Sequence, residues 1–133
     1  MALLSLRNVS VSYDKVEAVR GVSLDVEPGQ IVSVIGPNGA GKTTMMLATM
    51  GLLPLTGEVT FEGTNLAGLE VEERVERGIC LVPEKRELFG DMSVADNLIL
   101  GSYSLKDRSG VAASLEQVYE RFPRLRERRR QAA

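Results

Sequence analysis

The sequence predicts an α/β fold that begins with an antiparallel β subdomain, continues with a strand and a helix joined by a glycine-rich turn, and ends with helices. Three observations support this prediction. Apolar and polar residues alternate over residues 1–26, an almost continuous apolar run at 31–35 precedes a helical pattern, and apolar residues recur at helical spacing after residue 110. With 133 residues, 44% of them hydrophobic, the chain can bury a core of its own.

Two strands are predicted at the N-terminus from this alternation. The stretches "LLSLRNVSVSY" and "VEAVRGVSLDV" carry the pattern, and the turn pair Pro28-Gly29 ends the second stretch. We expect the two to pair as antiparallel strands.

A unit of strand, turn and helix is predicted next. The stretch "QIVSVIG" is rich in β-branched residues, which is typical of a strand buried on both faces of a parallel sheet. The helix is expected to start near Gly41, to stop around Gly51, and to present Met46, Leu47 and Met50 on its apolar face.

Shorter elements are predicted in the middle of the chain. We expect a strand at "GEVTFEG", a charged helix at "EVEERVERG" anchored by Val71 and Val75, and a second buried strand at "GICLVP" that places Cys80 in the core. Further on, Ser93 can cap a helix with Asp96 three residues later. The last third is expected to be helical, with one apolar stripe formed by Val111, Leu115, Val118, Tyr119 and Phe122.

Composition and charge exclude several classes of protein. Sixteen Lys and Arg against eighteen Asp and Glu give a net charge of -2, so no overall positive field points to nucleic acid. The six arginines within 121–130 are interrupted by Pro123 and Leu125, and we interpret them as a solvated helix face. One cysteine cannot form an internal disulfide. No basic leader or long apolar run predicts a signal peptide or a membrane helix.

A phosphate-binding motif lies between the predicted strand and helix. Gly36, Gly41, Lys42 and Thr43 match the spacing G-x-x-x-x-G-K-[ST]. Glycines let successive backbone N–H groups turn inward around phosphate oxygens, and the helix N-terminus adds partial positive charge. Lys42 can reach the β- and γ-phosphates of a nucleotide, and Thr43 can place its hydroxyl on a Mg²⁺ ion that bridges them. An accidental match in a chain of this length has a chance of roughly half a per cent. The candidate phosphate-binding residues are Gly36, Pro37, Asn38, Gly39, Ala40, Gly41, Lys42, Thr43 and Thr44.

Tyr13 ends the first predicted strand. Its flat ring could stack on a nucleobase, or it could pack on the edge of the strand. The residues alone leave both interpretations open.

In the order of its motifs the chain resembles the N-terminal part of an ABC-transporter ATP-binding subunit. The resemblance rests on "VSYDKVEAVRGVSLDVEPGQIVSVIGPNGAGKTT", "LLPLTGEVTFEG" and "GICLVPEKRELFGDMSVADNLILGSY", and it covers nearly the whole chain. It implies a P-loop NTPase core with an N-terminal antiparallel β subdomain and the start of a helical subdomain. It also implies ATP and Mg²⁺ as cofactors and an adenine contact for Tyr13.

The stretches "LVPEKRELF" and "VYERFPRLRERRRQ" are similar to the ATP-binding subunits of bacterial branched-chain amino-acid importers. The wider family usually has a Gln in the first of these loops, which contacts Mg²⁺ and the attacking water and couples the site to the membrane subunits. Glu84 stands at that position here, as Glu often does in the branched-chain subgroup. The resemblance therefore makes Glu84 a candidate catalytic and metal residue beside Lys42. The alternative is an exposed loop carboxylate.

The resemblance implies a subunit that energises transport. Its partners would be membrane permease subunits, a second ATP-binding subunit in a homo- or heterodimer and, indirectly, a solute-binding protein, with no nucleic acid. It would lie in the cytoplasm on the inner face of the cell membrane. The alternatives are a non-transport ATPase of the ABC type and a nucleotide-binding fragment without catalysis.

Several groups that hydrolysis needs are not found in the sequence. There is no apolar strand ending in Asp with an adjacent Glu, no LSGGQ-like segment and no histidine. We therefore expect residues 1–133 to be a partial ATP-binding domain, with a nucleotide-binding core to about residue 90 and the start of a helical subdomain at 91–133. Alone, it is expected to bind nucleotide without hydrolysing it.

Overall fold

The computed structural model describes all 133 residues, and the chain divides into two compact units, Met1–Leu81 and Val82–Ala133. The first unit contains β1 (Leu4–Tyr13), β2 (Val16–Val26), α1 (Lys42–Thr49), β3 (Thr56–Phe61), β4 (Thr64–Asn65) and α2 (Val71–Glu76). The second unit contains α3 (Val94–Leu100), α4 (Val111–Arg121) and α5 (Pro123–Glu127). The first unit is therefore α/β and the second is helical, in the order that the sequence predicts.

The four strands form one antiparallel sheet in the order β2-β1-β3-β4. At Asn8, where φ is 49°, the pairing of β1 with β2 shifts register, and the bulge moves the alternation by one residue. As a result Leu6, Val9 and Val11 are all buried in the same core. The predicted antiparallel pairing of the first two strands is confirmed, and so is the strand at "GEVTFEG".

Helix α1 packs on this sheet and has the bounds that the sequence predicts. Its C-terminus is closed by Gly51, whose φ of 82° suits glycine and whose N–H donates to the carbonyl of Ala48 at 2.9 Å. The predicted apolar face is only partly correct. Met50 is buried and Leu47 is half-buried, as predicted, whereas Met46 is exposed. Met45 and Ala48, which the prediction did not include, are also buried in the core.

Two segments predicted to be buried strands, 31–35 and 79–83, are assigned to no strand. Ile31 is 93% exposed and Ile35 is 92% exposed, and Cys80 is exposed rather than in the core. A strand needs a neighbour to pair its backbone N–H and C=O groups. Neither segment is paired with any strand of the sheet. The prediction of two buried parallel strands is therefore wrong for this chain.

Helix α2 forms as predicted but is anchored differently. Val71 and Val75 are only half-buried, and the residue that the helix buries is Arg74. Its guanidinium reaches backbone carbonyls of the first unit, so a charged residue takes the place that the sequence assigned to valines.

In the second unit, the predicted cap of α3 is confirmed. The amide of Asp96 donates to Ser93 Oγ at 3.1 Å, and the amide of Ser93 donates to Asp96 Oδ2 at 3.3 Å. Two reciprocal hydrogen bonds of this kind form a capping box and fix where the helix begins.

The last residues of the chain fold back onto the same helix start. The amide of Val94 donates to the carbonyl of Gln131 at 2.9 Å, and the amide of Ala95 donates to the carbonyl of Arg129 at 3.0 Å. The first amides of a helix have no partner within the helix. The tail therefore satisfies two donors of α3 that would otherwise face solvent.

The predicted stripe on α4 is mostly confirmed. Tyr119 is buried, three further residues are half-buried, and Phe122 is exposed where the helix has ended. Arg126 lies 5.4 Å above the ring of Tyr119 and pairs with Glu116 at 2.7 Å. None of the helices has the length and apolar character that crossing a membrane requires.

Candidate nucleotide-binding site

The glycine-rich motif forms a loop that runs directly into α1. Gly39 and Gly41 have φ values of 81° and 86°, in the left-handed region that glycine adopts without strain. A Cβ at Gly41 would also clash with the carbonyl oxygen of Ala18 in β2. Gly41 is therefore required both by the turn and by the close approach of the loop to β2.

The start of α1 carries donors without a capping side chain. Gly41 is the N-cap and has no side chain to accept a hydrogen bond, and the first intrahelical bond runs from the amide of Met45 to the carbonyl of Gly41 at 2.9 Å. The amides of Lys42, Thr43 and Thr44 therefore precede the first helical bond. These three donors, with the partial positive charge of the helix end, suit an anion.

Lys42 points back over the loop. Its Nζ donates to the carbonyl of Gly36 at 2.5 Å and to the carbonyl of Pro37 at 2.7 Å. The ammonium is thus held at the loop by neutral acceptors. Phosphate oxygens can replace them with stronger bonds, because the acceptor is then charged as well as the donor. The side chain of Lys42 therefore lies over the loop that its motif forms.

We next asked whether the side chains of the chain could bind Mg²⁺ without a nucleotide. No group of three or more His, Cys, Asp or Glu residues could hold a metal ion. Thr43 is exposed in the first turn of α1, beside the amides that suit a phosphate. This arrangement fits Mg²⁺ held by nucleotide phosphates and one hydroxyl, and it does not fit a site made of protein side chains only.

A cavity of about 320 Å³ adjoins the loop. One wall comes from β2, where Ala18, Arg20, Val22 and Leu24 line the cavity together with Val19. Sequence reasoning missed this wall, although the period-two alternation of β2 places the even-numbered residues on one face. The other walls include Val34, Ile35, Ala40, Gly41, Lys42 and Met45.

The structure does not bring every predicted residue into this cavity. Tyr13 ends β1 next to a tight turn, is 46% exposed, and is not among the residues that line the cavity. Glu84 is exposed in a segment without regular structure and belongs to the second compact unit, whereas the loop belongs to the first. The two residues stay predictions of the resemblance.

A glycine-rich loop that opens a helix beside a β-sheet, with a lysine held over its carbonyls, defines a nucleotide-binding protein of the P-loop type. The family model described as "ABC transporter" matches residues 19–132. The chain therefore belongs to the ABC transporter family.

Similar proteins include transport ATP-binding proteins with different cargoes. The chain is 37% identical over 132 residues to the high-affinity branched-chain amino acid transport ATP-binding protein BraG of Pseudomonas aeruginosa, which is 98% of this chain and 56% of that protein. It is 37% identical over 100 residues to the lipopolysaccharide export system ATP-binding protein LptB of Escherichia coli, which is 74% of this chain and 42% of that protein.

The fold comparison agrees. A solved structure described as an ATP binding subunit of an ABC transporter matches with a TM-score of 0.84 at 26% identity, covering 98% of this chain and 54% of that one. The chain thus spans about half the length of the relatives it matches.

Proposed function

We propose that the chain is the nucleotide-binding part of an ATP-binding subunit that energises an ABC importer by binding and hydrolysing ATP. The observation that carries this proposal is the loop at 36–43, with uncapped helix amides on one side and the ammonium of Lys42 over its carbonyls. Each group supplies positive potential where phosphates carry negative charge.

The residues of the loop have separate tasks in this proposal. Backbone amides of the loop glycines and of residues 42–44 bind phosphate oxygens, Lys42 neutralises charge on the terminal phosphates, and Thr43 offers a hydroxyl to Mg²⁺. The bound metal supplies the Lewis-acid stabilisation of charge that phosphoryl transfer needs. Tyr13 stacks on the adenine ring. Glu84 contacts the Mg²⁺ ion and the attacking water.

Branched-chain amino acids are the proposed solutes. The similarity to BraG extends over 98% of this chain, whereas the similarity to LptB covers 74%. The proposed partners are permease subunits in the membrane, a second ATP-binding subunit and, indirectly, a solute-binding protein. The proposed location is the cytoplasmic face of the cell membrane.

The 133-residue polypeptide by itself is proposed to hold MgATP without turning it over. Phosphoryl transfer needs a group that orients water in line with the phosphate. Glu84 is the candidate within this sequence, and it stands in an exposed segment without regular structure, which positions a carboxylate poorly. Hydrolysis at a rate typical of complete ABC ATPases, removed by Lys42→Ala, would contradict this part of the proposal.

Calorimetry with MgATP tests the site itself. Lys42→Ala should weaken binding by about tenfold or more, because the phosphates lose their nearest cation. Lys106→Ala, in an exposed loop of the second unit, is the matched control and should bind as the unchanged chain does. Equal affinities for the unchanged chain and Lys42→Ala would overturn the proposed site.

The adenine contact has a different signature. Tyr13→Ala should weaken the binding of ATP and of ADP by the same amount, about 1–3 kcal/mol of binding free energy, because stacking does not depend on the number of phosphates. Tyr13→Phe keeps the ring and is the control. A loss confined to ATP would argue against stacking.

For Glu84 the readout is transport. In the assembled transporter, Glu84→Ala should lower solute uptake more than it lowers ATP affinity. The reason is that Glu84 is proposed to contact Mg²⁺ and the attacking water and to couple the site to the permease. If both fall equally, Glu84 has no such role.

A further inference from the structure

Arg74 on α2 is the one ionisable side chain buried in the first unit. Its exposure is 7%, and its guanidinium donates three hydrogen bonds to backbone carbonyls. Nη1 reaches Thr49 at 2.8 Å, Nη2 reaches Leu66 at 2.9 Å and Nε reaches Leu69 at 3.1 Å. Ordinary helix arginines extend into solvent, so this burial calls for a specific reason.

The Thr49 carbonyl is the last one of α1. The three carbonyls before it are already satisfied, because those of Met46, Leu47 and Ala48 accept from the amides of residues 50, 52 and 51 at 3.1, 3.0 and 2.9 Å. Arg74 therefore completes the C-terminus of the helix. At the same time it joins that end to the turn at 66–69.

The ion pairs Met1–Glu27, Arg7–Asp25 and Arg20–Glu17 do not involve Arg74. Burial lowers the pKa of Arg74, and the charge of Glu70 partly opposes this. What offsets the burial of the cation is the negative end of the α1 dipole together with the three carbonyls. The contact is therefore specific to the end of α1.

We propose that Arg74 is a positioning residue for the phosphate loop, which rests on the proposed nucleotide-binding function. Helix α1 carries the loop at its N-terminus and Arg74 at its C-terminus, and its eight residues span about 12 Å. Such a short helix moves as one rigid body. Arg74 holds its far end, so the amides of Lys42, Thr43 and Thr44 keep one orientation toward the phosphates.

Gly51 is part of the same arrangement. A Cβ there would lie 2.9 Å from both Cζ and Nε of Arg74, and its φ is 82°. Gly29 has a similar φ of 75° and nothing within 4 Å of an added Cβ. Gly51→Ala therefore displaces the guanidinium without changing any charge, and Gly29→Ala is its matched control for backbone strain.

The test measures MgATP affinity in the 133-residue chain by calorimetry. Arg74→Met should lose on the order of tenfold in affinity, and Arg74→Lys less, because a lysine keeps the charge but cannot bond three carbonyls at once. Gly51→Ala should weaken binding, whereas Gly29→Ala should not. Hydrogen exchange should show faster exchange of the amides of 45–49 in Arg74→Met, with β1 and β3 unchanged.

Two further measurements distinguish a positioning role of Arg74 from a general contribution to the stability of the fold. Val9→Ala lowers stability through the core, and Val9 does not line the cavity beside Arg74. At a temperature where both variants are folded, Val9→Ala should therefore keep its affinity while Arg74→Met does not. A cavity of about 440 Å³ opens beside Arg74. In Arg74→Ala, guanidinium ion at about 10 mM, far below denaturing concentrations, should restore affinity, and it should not do so in Lys42→Ala.

The outcomes are distinct. If Lys42→Ala loses binding while every Arg74 variant that folds binds as the unchanged chain does, the positioning role is overturned and the nucleotide site stands. If Val9→Ala loses as much affinity as Arg74→Met, the effect is one of stability and the positioning role is also overturned. If the unchanged chain itself does not bind MgATP, both proposals fail.

Discussion

Strand β1 and the segment 31–35 both contain several large apolar residues, yet they differ completely in the structure. In β1, Leu6 is 2% exposed and the backbone pairs with β2 on one side and β3 on the other. In 31–35, Ile31 and Ile35 are more than nine-tenths exposed and no strand pairs with the segment. Similar residues therefore give a buried strand in one place and an exposed segment in the other.

The difference lies in where the partner comes from. Strand β1 meets β2 across a two-residue turn at 14–15, so an antiparallel partner is close in the chain. A parallel strand needs a neighbour reached by a crossover of a dozen or more residues. The antiparallel sheet thus forms from nearby sequence, whereas apolar composition alone does not make a parallel strand.

The largest effect is expected when the same truncation to alanine is made in the two regions, because only the one in β1 should lower stability. Leu6→Ala should lower the free energy of unfolding by about 2–5 kcal/mol because it leaves a cavity in the core. Ile35→Ala should change it by no more than about 0.5 kcal/mol. Urea unfolding measures both. If Ile35→Ala is as costly as Leu6→Ala, the segment is buried in solution and the comparison fails.

A medium effect is expected on aggregation. The unpaired apolar segment is a site for association between chains, so Ile31→Thr should slow aggregation in light scattering and leave stability almost unchanged. Val16→Thr replaces a methyl group by a hydroxyl on a residue that is 70% exposed but lies in a paired strand. Equal slowing by Val16→Thr would show that exposed apolar area alone, and not the missing pairing, causes aggregation.

The smallest effect concerns pH. In the sheet, the hydrogen bond from Arg7 at 2.8 Å lowers the pKa of Asp25 below its ordinary value, and Ser5 adds to this. A lowered folded pKa gives stability that is present above the ordinary pKa of about 4 and is lost as pH falls through the lowered value.

Asp25→Asn should therefore reduce the loss of stability between pH 6 and pH 3 by a small amount, because the pair is exposed. Asp14→Asn in the β1–β2 turn is the control. The segment 31–35 has no ionisable residue and should contribute nothing. If Asp25→Asn and the unchanged chain show the same pH dependence, the Arg7–Asp25 pair does not contribute to the pH dependence of stability.

The features that the sequence predicts well are those that depend on nearby residues. The bounds of α1, the end of β1 at Tyr13 and the box between Ser93 and Asp96 are confirmed, because caps and turns act over a few positions. The loop at 36–43 could be located from its spacing for the same reason.

The features that the sequence does not predict depend on distant partners. Arg74 was missed because a charged residue in a charged helix is typical of a solvated face, and nothing local shows that the carbonyl of Thr49, 25 residues away, will accept one of its hydrogen bonds. The β2 wall of the cavity was missed because it depends on how the loop packs on that strand. The two apolar segments were misjudged because pairing was inferred from composition.

The contact between the tail and the start of α3 sets an order of events during synthesis. Ser93 bridges to Ala132, 39 positions later. At a synthesis rate of about 5–20 residues per second, the ribosome needs roughly 2–8 s to pass from one to the other. Until then the amides of Val94 and Ala95 lack the carbonyls of Gln131 and Arg129, whereas β1, β2 and β3 have already been synthesised. The first unit can therefore assemble while the second still lacks its closing residues, and the nucleotide loop is made before α3 acquires its tail.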